Sequence, residues 1–283
     1  MNKGIHICLC ALSLSLTSSQ VFAEDWDAYH PAMSDNFFLY LGAFRSDNSF
    51  KIRAEGREIG PIDGSDIDFD DSLGVDDSST LLNAQLRWNF GKSRKWSLWG
   101  QYFSNNAKGE ATLEEDVEWQ DVIFREGTFV GAGVKFEVIR AFLGYSFVKK
   151  EQHDFGVGIG IHNLDLSTYI EGNILIDDES TGFRRKEASE SQPLPNIGAW
   201  YHFSPAKRWL LRARVDWMSA EIGNYDGTLW NTNIGVNYQA WRHVGFDLSW
   251  QYFNLNVDVD KTDWNGGVDM TYSGPMLSVT FNW

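Results

Sequence analysis

Cysteine is almost missing from this sequence: Cys8 and Cys10 are the only two in 283 residues. Proline is scarce at 6, and beyond the first 23 residues no run of 18 apolar residues occurs, which excludes a membrane-spanning helix there. Basic residues are in deficit, with 24 Lys and Arg against 39 Asp and Glu, a formal charge of −15. A phosphate backbone attracts Lys and Arg, so nucleic acid is not an expected partner. Aromatics, by contrast, are abundant, with 13 Trp, 10 Tyr and 19 Phe. Disordered chains have few aromatics, so the chain is expected to fold.

Residues 1–23 read as a secretory signal peptide. Lys3 supplies the positive start, Ile5 to Leu16 the short apolar stretch, and Val21-Phe22-Ala23 the small-residue end that a signal peptidase accepts. Both cysteines lie inside this segment, and neither has the small residues of a lipoprotein cleavage box before it. Cleavage leaves a cysteine-free chain with a formal charge of −16, since only Lys3 is lost. An exported domain without disulfides needs another source of stability, and a closed sheet is one. Residues 24–35 are expected as a periplasmic N-terminal segment, and 36–283 as the folded domain.

That domain alternates with period two. Leu82, Ala84, Leu86, Trp88 and Phe90 interleave with Asn83, Gln85, Arg87 and Asn89. Trp209, Leu211, Ala213, Val215 and Trp217 interleave with Leu210, Arg212, Arg214 and Asp216, and the stretches from Trp230 and Val244 behave likewise. Such segments are strands with one apolar and one polar face. A soluble sandwich alternates too, but its aromatics scatter over the core face. Here they sit at the ends. Trp209 and Trp217 lie on one face, separated along the membrane normal by ~20 Å for a strand tilted ~40°, close to the ~25 Å apolar band of a membrane barrel. Trp88 and Trp96 flank one short connection, Trp241 sits beside another, and Trp250 shares their face, as an aromatic girdle requires.

Short polar joins at 90–95, 148–154, 204–207 and 240–243 alternate with long acidic stretches at 55–79, 106–127, 171–191 and 257–268 and a shorter one at 223–227. Periplasmic turns and outer loops alternate in this way. The expected fold is all-β, a transmembrane antiparallel up-and-down barrel of ten strands: 36–45, 80–90, 96–108, 134–147, 155–167, 192–203, 209–221, 229–239, 244–256 and 270–283. Segments 50–54, 128–133 and 167–176 are expected to extend hairpins above the membrane. Merging or splitting one hairpin gives twelve or eight strands instead.

The C-terminus adds a specific signal. Leu277, Val279, Phe281 and Trp283 alternate, and the last residue is aromatic. This resembles the terminal strand of bacterial outer-membrane barrels, which implies recognition by the barrel-assembly machinery. Together with the opening strand Phe37-Phe38-Leu39-Tyr40-Leu41-Gly42-Ala43-Phe44 and the acidic stretch from Gly64 to Val75, the chain resembles uncharacterised outer-membrane β-barrel families of Gram-negative bacteria. The resemblance implies the fold, the cell outer membrane as location, and lipid and lipopolysaccharide as surroundings. It implies no substrate.

Asp66, Asp68, Asp70 and Asp77 have the spacing of an EF-hand loop, but the sixth position is Asp71, where the turn needs Gly. The expectation is therefore a solvated acidic loop that attracts divalent cations weakly, with no firm metal site and no cofactor. Inside the barrel, Arg87, Arg140, His162, Arg212, Arg214, Asp216 and Asp247 are expected to form a lumen network. Opposite charges in a narrow barrel should pair, and Trp99, Phe142 and Trp200 should take up space. Wide aqueous channels need ~16 strands, so a general porin is excluded. For catalysis, His202-Phe203-Ser204 resembles the His-x-Ser pair of lipid A deacylases but lies at a periplasmic turn. His162 and Asp216 fall on the fifth and seventh strands without the omptin spacing. The sequence thus points to a non-enzymatic barrel with a side-chain-filled lumen and a structural or surface-interaction role, with a narrow solute pore as the alternative and an outer-rim hydrolase third.

Overall fold

The computed structural model describes residues 29–56, 67–119, 122–176, 179–260 and 264–283. The signal peptide, residues 24–28 and Asp66 lie outside the described residues. Among the described residues, thirteen strands follow a short 3-10 turn at Pro31–Met33: β1 (Phe37–Gly56), β2 (Ile67–Asp68), β3 (Ser78–Phe90), β4 (Trp96–Thr112), β5 (Val117–Trp119), β6 (Val122–Phe124), β7 (Phe129–Lys149), β8 (His153–Ile176), β9 (Glu179–Ala206), β10 (Trp209–Ile222), β11 (Tyr225–Trp241), β12 (Val244–Asp260) and β13 (Trp264–Asn282). Ten of these pair with their chain neighbours in an antiparallel meander, and β13 returns to pair with β1. The barrel is closed. β2 adds to β1 above the wall, and β5 and β6 make a small hairpin of their own.

Closure removes the two free edges that an open sheet would present to lipid. It is locked where the termini meet: Phe37 N–H donates to the Trp283 carbonyl at 2.9 Å, and the Phe37 ring stacks between Trp88 and Trp283 at 5.9 and 5.4 Å. The membrane-crossing parts of the strands show the pleat read from sequence. On β3, Asn83, Gln85, Arg87 and Asn89 are buried inside, while Leu82, Leu86 and Trp88 face outward. On β13, Ser278, Thr280 and Asn282 point inward, while Leu277 and Val279, with Trp283 just beyond the strand, lie on the outer face.

The strands are longer than their apolar alternation indicates, β9 reaching 28 residues. Two stretches expected as irregular loops, 171–191 and 257–268, are largely paired strand. They rise beyond the lipid, so no outward apolar face is required, and in 257–268 the apolar Val257 and Val268 pack inward instead. Cross-strand charge takes its place, as in Arg185 Nη1 to Glu171 Oε2 at 2.9 Å. Stretch 55–79 likewise holds β2, and 106–127 holds the end of β4 and the β5–β6 hairpin.

Pro193 and Pro195 sit within β9, opposite Asn163 and Ile161 of β8. Pairing of β9 with β10 stops just below them, at Ile197 and Trp217. A residue without an N–H is tolerated where a strand has no second partner, which is where both prolines fall. A similar split between β3 and β4 is closed by a loop, with Val75 bridging Gly109. Only glycine fits there, because a Cβ on Gly109 would meet the Gly74 carbonyl oxygen at 2.0 Å.

Candidate functional site

The lumen is occupied at three heights. At the periplasmic end residues 30–35 fold up into the mouth. His30, Pro31, Ala32 and Met33 are buried, and Ala32 and Met33 pack with Phe38, Tyr40 and Leu210. His30 N–H donates to Ser204 Oγ at 3.0 Å, its Nε2 pairs with Asn237 Oδ1 at 2.9 Å, and Arg87 donates to the Ala32 carbonyl at 2.5 Å. Asp35 is held by Asn282 at 2.6 Å and by Arg242 at 3.1 Å.

The middle layer is charged. Arg212 forms a two-armed pair with Asp247, with Nε to Oδ2 at 2.7 Å and Nη2 to Oδ1 at 2.5 Å, and also bonds Asn233 and Ser249. Arg214 bonds both oxygens of Asp216, and Arg140 donates to Asp216 Oδ1 at 2.9 Å. One carboxylate thus serves two guanidinium groups. Arg87 donates to His202 Nδ1 at 2.8 Å. Nearby, Asp154 accepts from Ser146 and Lys149, each at 2.7 Å. Trp99, Phe142 and Trp200 form an aromatic cluster among these charges, and Arg214 lies over Phe142 at 4.2 Å and Trp99 at 4.5 Å. Gly198 makes room: a Cβ there would meet Asp216 Oδ1 at 2.2 Å.

The third layer was not anticipated from the sequence. Inward positions change from polar to apolar above His162, and residues such as Phe44, Phe103, Phe136, Phe253 and Tyr272 form one large buried cluster. Loops close over it, with Phe69 and Trp119 meeting edge to face at 5.6 Å. The available signal is an alternation of reversed sense: Val134, Phe136 and Val138 are buried inside, while Lys135 and Glu137 lie on the outer face.

His162 and Asp216, the pair considered for catalysis, are both buried in the lumen. His162 Nδ1 meets Asn196 Oδ1 at 3.1 Å, and its Nε2 meets the Asn231 amide at 3.3 Å. Both nitrogens are engaged by neutral amides. On the outer face, Trp88, Trp96, Trp209 and Trp241 stand beside the periplasmic turns, and Trp217 pairs with Trp230 higher on the wall. Trp250 faces outward opposite Ile234, six residues along β12 from Val244, between those two levels.

In the acidic loop the carboxylates serve the turn. Asp68 Oδ1 accepts from the N–H groups of Asp70 and Asp71, each at 3.1 Å, and its other oxygen lies 3.4 Å from Lys51 Nζ. Asp70 Oδ2 accepts from Phe50 N–H at 3.1 Å. Burial, reinforced by the charges of Asp68, Asp71 and Asp77, pushes the Asp70 carboxyl up to about 6, against the opposing Phe50 bond. Asp71 and Asp77 are exposed. Among the described residues no group of three His, Cys, Asp or Glu is placed to hold a metal ion.

No protein-family model and no curated protein matches this sequence. Among solved structures it is similar to the outer-membrane protease OmpT of Escherichia coli, with a TM-score of 0.55 over 92% of this chain and 99% of that one, at 8% identity. A looser likeness is to the outer-membrane protein OprG of Pseudomonas aeruginosa, with a TM-score of 0.38 at 14% identity, over 90% of this chain and 98% of that one. The first shows the fold alone, and the second adds nothing to it. With a closed ten-stranded wall, an apolar outer face and a polar mid-lumen, the chain is a bacterial outer-membrane β-barrel. It resides in the outer membrane, its girdled wall against lipid.

Proposed function

We propose that this barrel is a closed, non-catalytic surface protein whose acidic outer loops form its interaction face. The observation that carries the reading is the filling of the lumen at three heights, by residues 30–35, by the Arg–Asp layer and by the upper apolar cluster. A barrel closed in this way anchors loops rather than conducting. The loops favour cationic partners, including divalent ions bridging lipopolysaccharide phosphates, through general charge attraction rather than a coordination site. The outward Leu277, Val279, Phe281 and Trp283 serve as the assembly signal read during insertion.

Conductance of the refolded mature protein in a planar bilayer tests this, alongside heat-modifiable gel mobility to show that the barrel is folded. The expected result is a heat-modifiable band without steady conductance. Steady, anion-selective conductance from the folded form would overturn the closed reading in favour of a narrow pore, which the excess of lumen arginines would favour.

A further inference from the structure

Arg140 and Arg214 are 2% and 7% exposed, and both guanidinium groups bond the same oxygen, Asp216 Oδ1. Two buried positive charges therefore share one negative charge. Several of their donors have no acceptor among the described residues: Nε and Nη1 of Arg140 and Nη1 of Arg214. The same is true of Trp99 Nε1, in the ring that Arg214 covers, and of Nε of Arg87, which lies 5.3 Å from that ring. These donors belong to four side chains gathered around one aromatic cluster. His162, close by, is engaged by Asn196 and Asn231 and supplies no negative charge.

An isolated buried charge is costly, and a buried N–H without an acceptor adds its own penalty. Both are relieved by one ligand that is anionic and accepts several N–H bonds. We propose that the mid-lumen binds a small monovalent anion of the halide class between Arg140, Arg214 and Trp99. Charge sets the class: Arg140 and Arg214 exceed Asp216 by one, which a monovalent ion cancels, and a halide accepts N–H bonds from several sides without a fixed geometry.

This inference rests on the closed lumen, and the conductance measurement separates failure of that reading from failure of the site. The test uses the folded mature protein in detergent at constant ionic strength, with potassium gluconate replaced stepwise by potassium chloride or bromide. The unfolding midpoint should rise saturably with either halide, and Arg140→Gln should flatten the curve. Crystals grown in bromide should show an anomalous peak within hydrogen-bonding distance of Arg140 and Arg214. That observation needs no variant and decides the matter if Arg140→Gln does not fold. Equal midpoints in gluconate and halide with no bromide peak would overturn the proposal in favour of water alone. Stabilisation by sulfate with none by halide would overturn the assigned ligand class.

Discussion

Arg87, on the barrel wall, donates to the backbone carbonyl of Ala32 at 2.5 Å, while its other terminal nitrogen meets His202. One side chain thereby ties the segment before the first strand to the charged layer above it. Replacing Arg87 by Ala strands the Ala32 carbonyl and a His202 nitrogen in a buried site, at about 1–3 kcal/mol for each group left unsatisfied. The expected outcome is a lower urea midpoint and faster proteolysis before Phe37. Unchanged proteolysis would show that residues 30–35 dock without this bond.

The outer wall offers a depth test. Leu248 and Ala213 face lipid between the two Trp levels, and Phe155 faces it beside a periplasmic turn. Arg at either of the first two positions should cost about 2–4 kcal/mol in a bilayer, falling to about 0–1 kcal/mol near the interface at Phe155. Folding equilibria in liposomes measure the difference. Equal costs at Leu248 and Phe155 would place the apolar band elsewhere.

What was legible in the sequence follows from where lipid lies. A strand crossing a bilayer must be apolar on one face, so Leu82 to Phe90 and Trp209 to Trp217 announce themselves, and the short periplasmic turns fix their lower ends. Above the membrane that constraint ends. Glu179 to Ser191 is charged on both faces and reads as loop, yet it pairs with β8 along its length. The lumen was legible only in part. Arg212, Arg214 and Asp247 stand out because a charge facing inward needs a partner. Phe136 and Tyr272 do not, because an apolar inward residue between polar outward neighbours, Lys135 and Glu137 or Thr271 and Ser273, alternates in the sense opposite to a lipid-facing strand. The docking of His30 and Ala32 left no periodic signal at all, since the short segment 30–35 with one 3-10 turn has no face to repeat.

The acidic loop should respond to pH. The Asp70 carboxyl is raised, mainly by burial, from 3.8 to about 6. Its ionised form therefore opposes loop docking above about pH 6, and the opposition is relieved as the pH falls through 6 towards 3.8, because the docked loop takes up the proton first. Protease sensitivity of the loop should decrease between pH 7.5 and 5, and Asp70→Asn should remove that dependence. A wild-type loop that loosens over the same range would contradict the sign.

The pair between Arg212 and Asp247 tests whether the middle layer is dry. Arg212 is 7% exposed and Asp247 fully buried, joined by two bonds with Ser249 and Asn233 completing the set. In a dry site, Arg212→Leu leaves a buried carboxylate without its charge partner and should cost about 3–5 kcal/mol, as should Asp247→Leu for the opposite reason. The double substitution should cost much less than the sum, because neither charge then remains. In a hydrated channel water screens both groups, the single changes cost little, and the cycle shows no coupling. Unfolding equilibria of the four proteins in liposomes give the coupling directly, and bilayer recordings on the same samples add an independent reading. A large coupling with a silent wild type supports the filled barrel, whereas weak coupling with a conducting wild type would make the Arg-rich layer the lining of a pore.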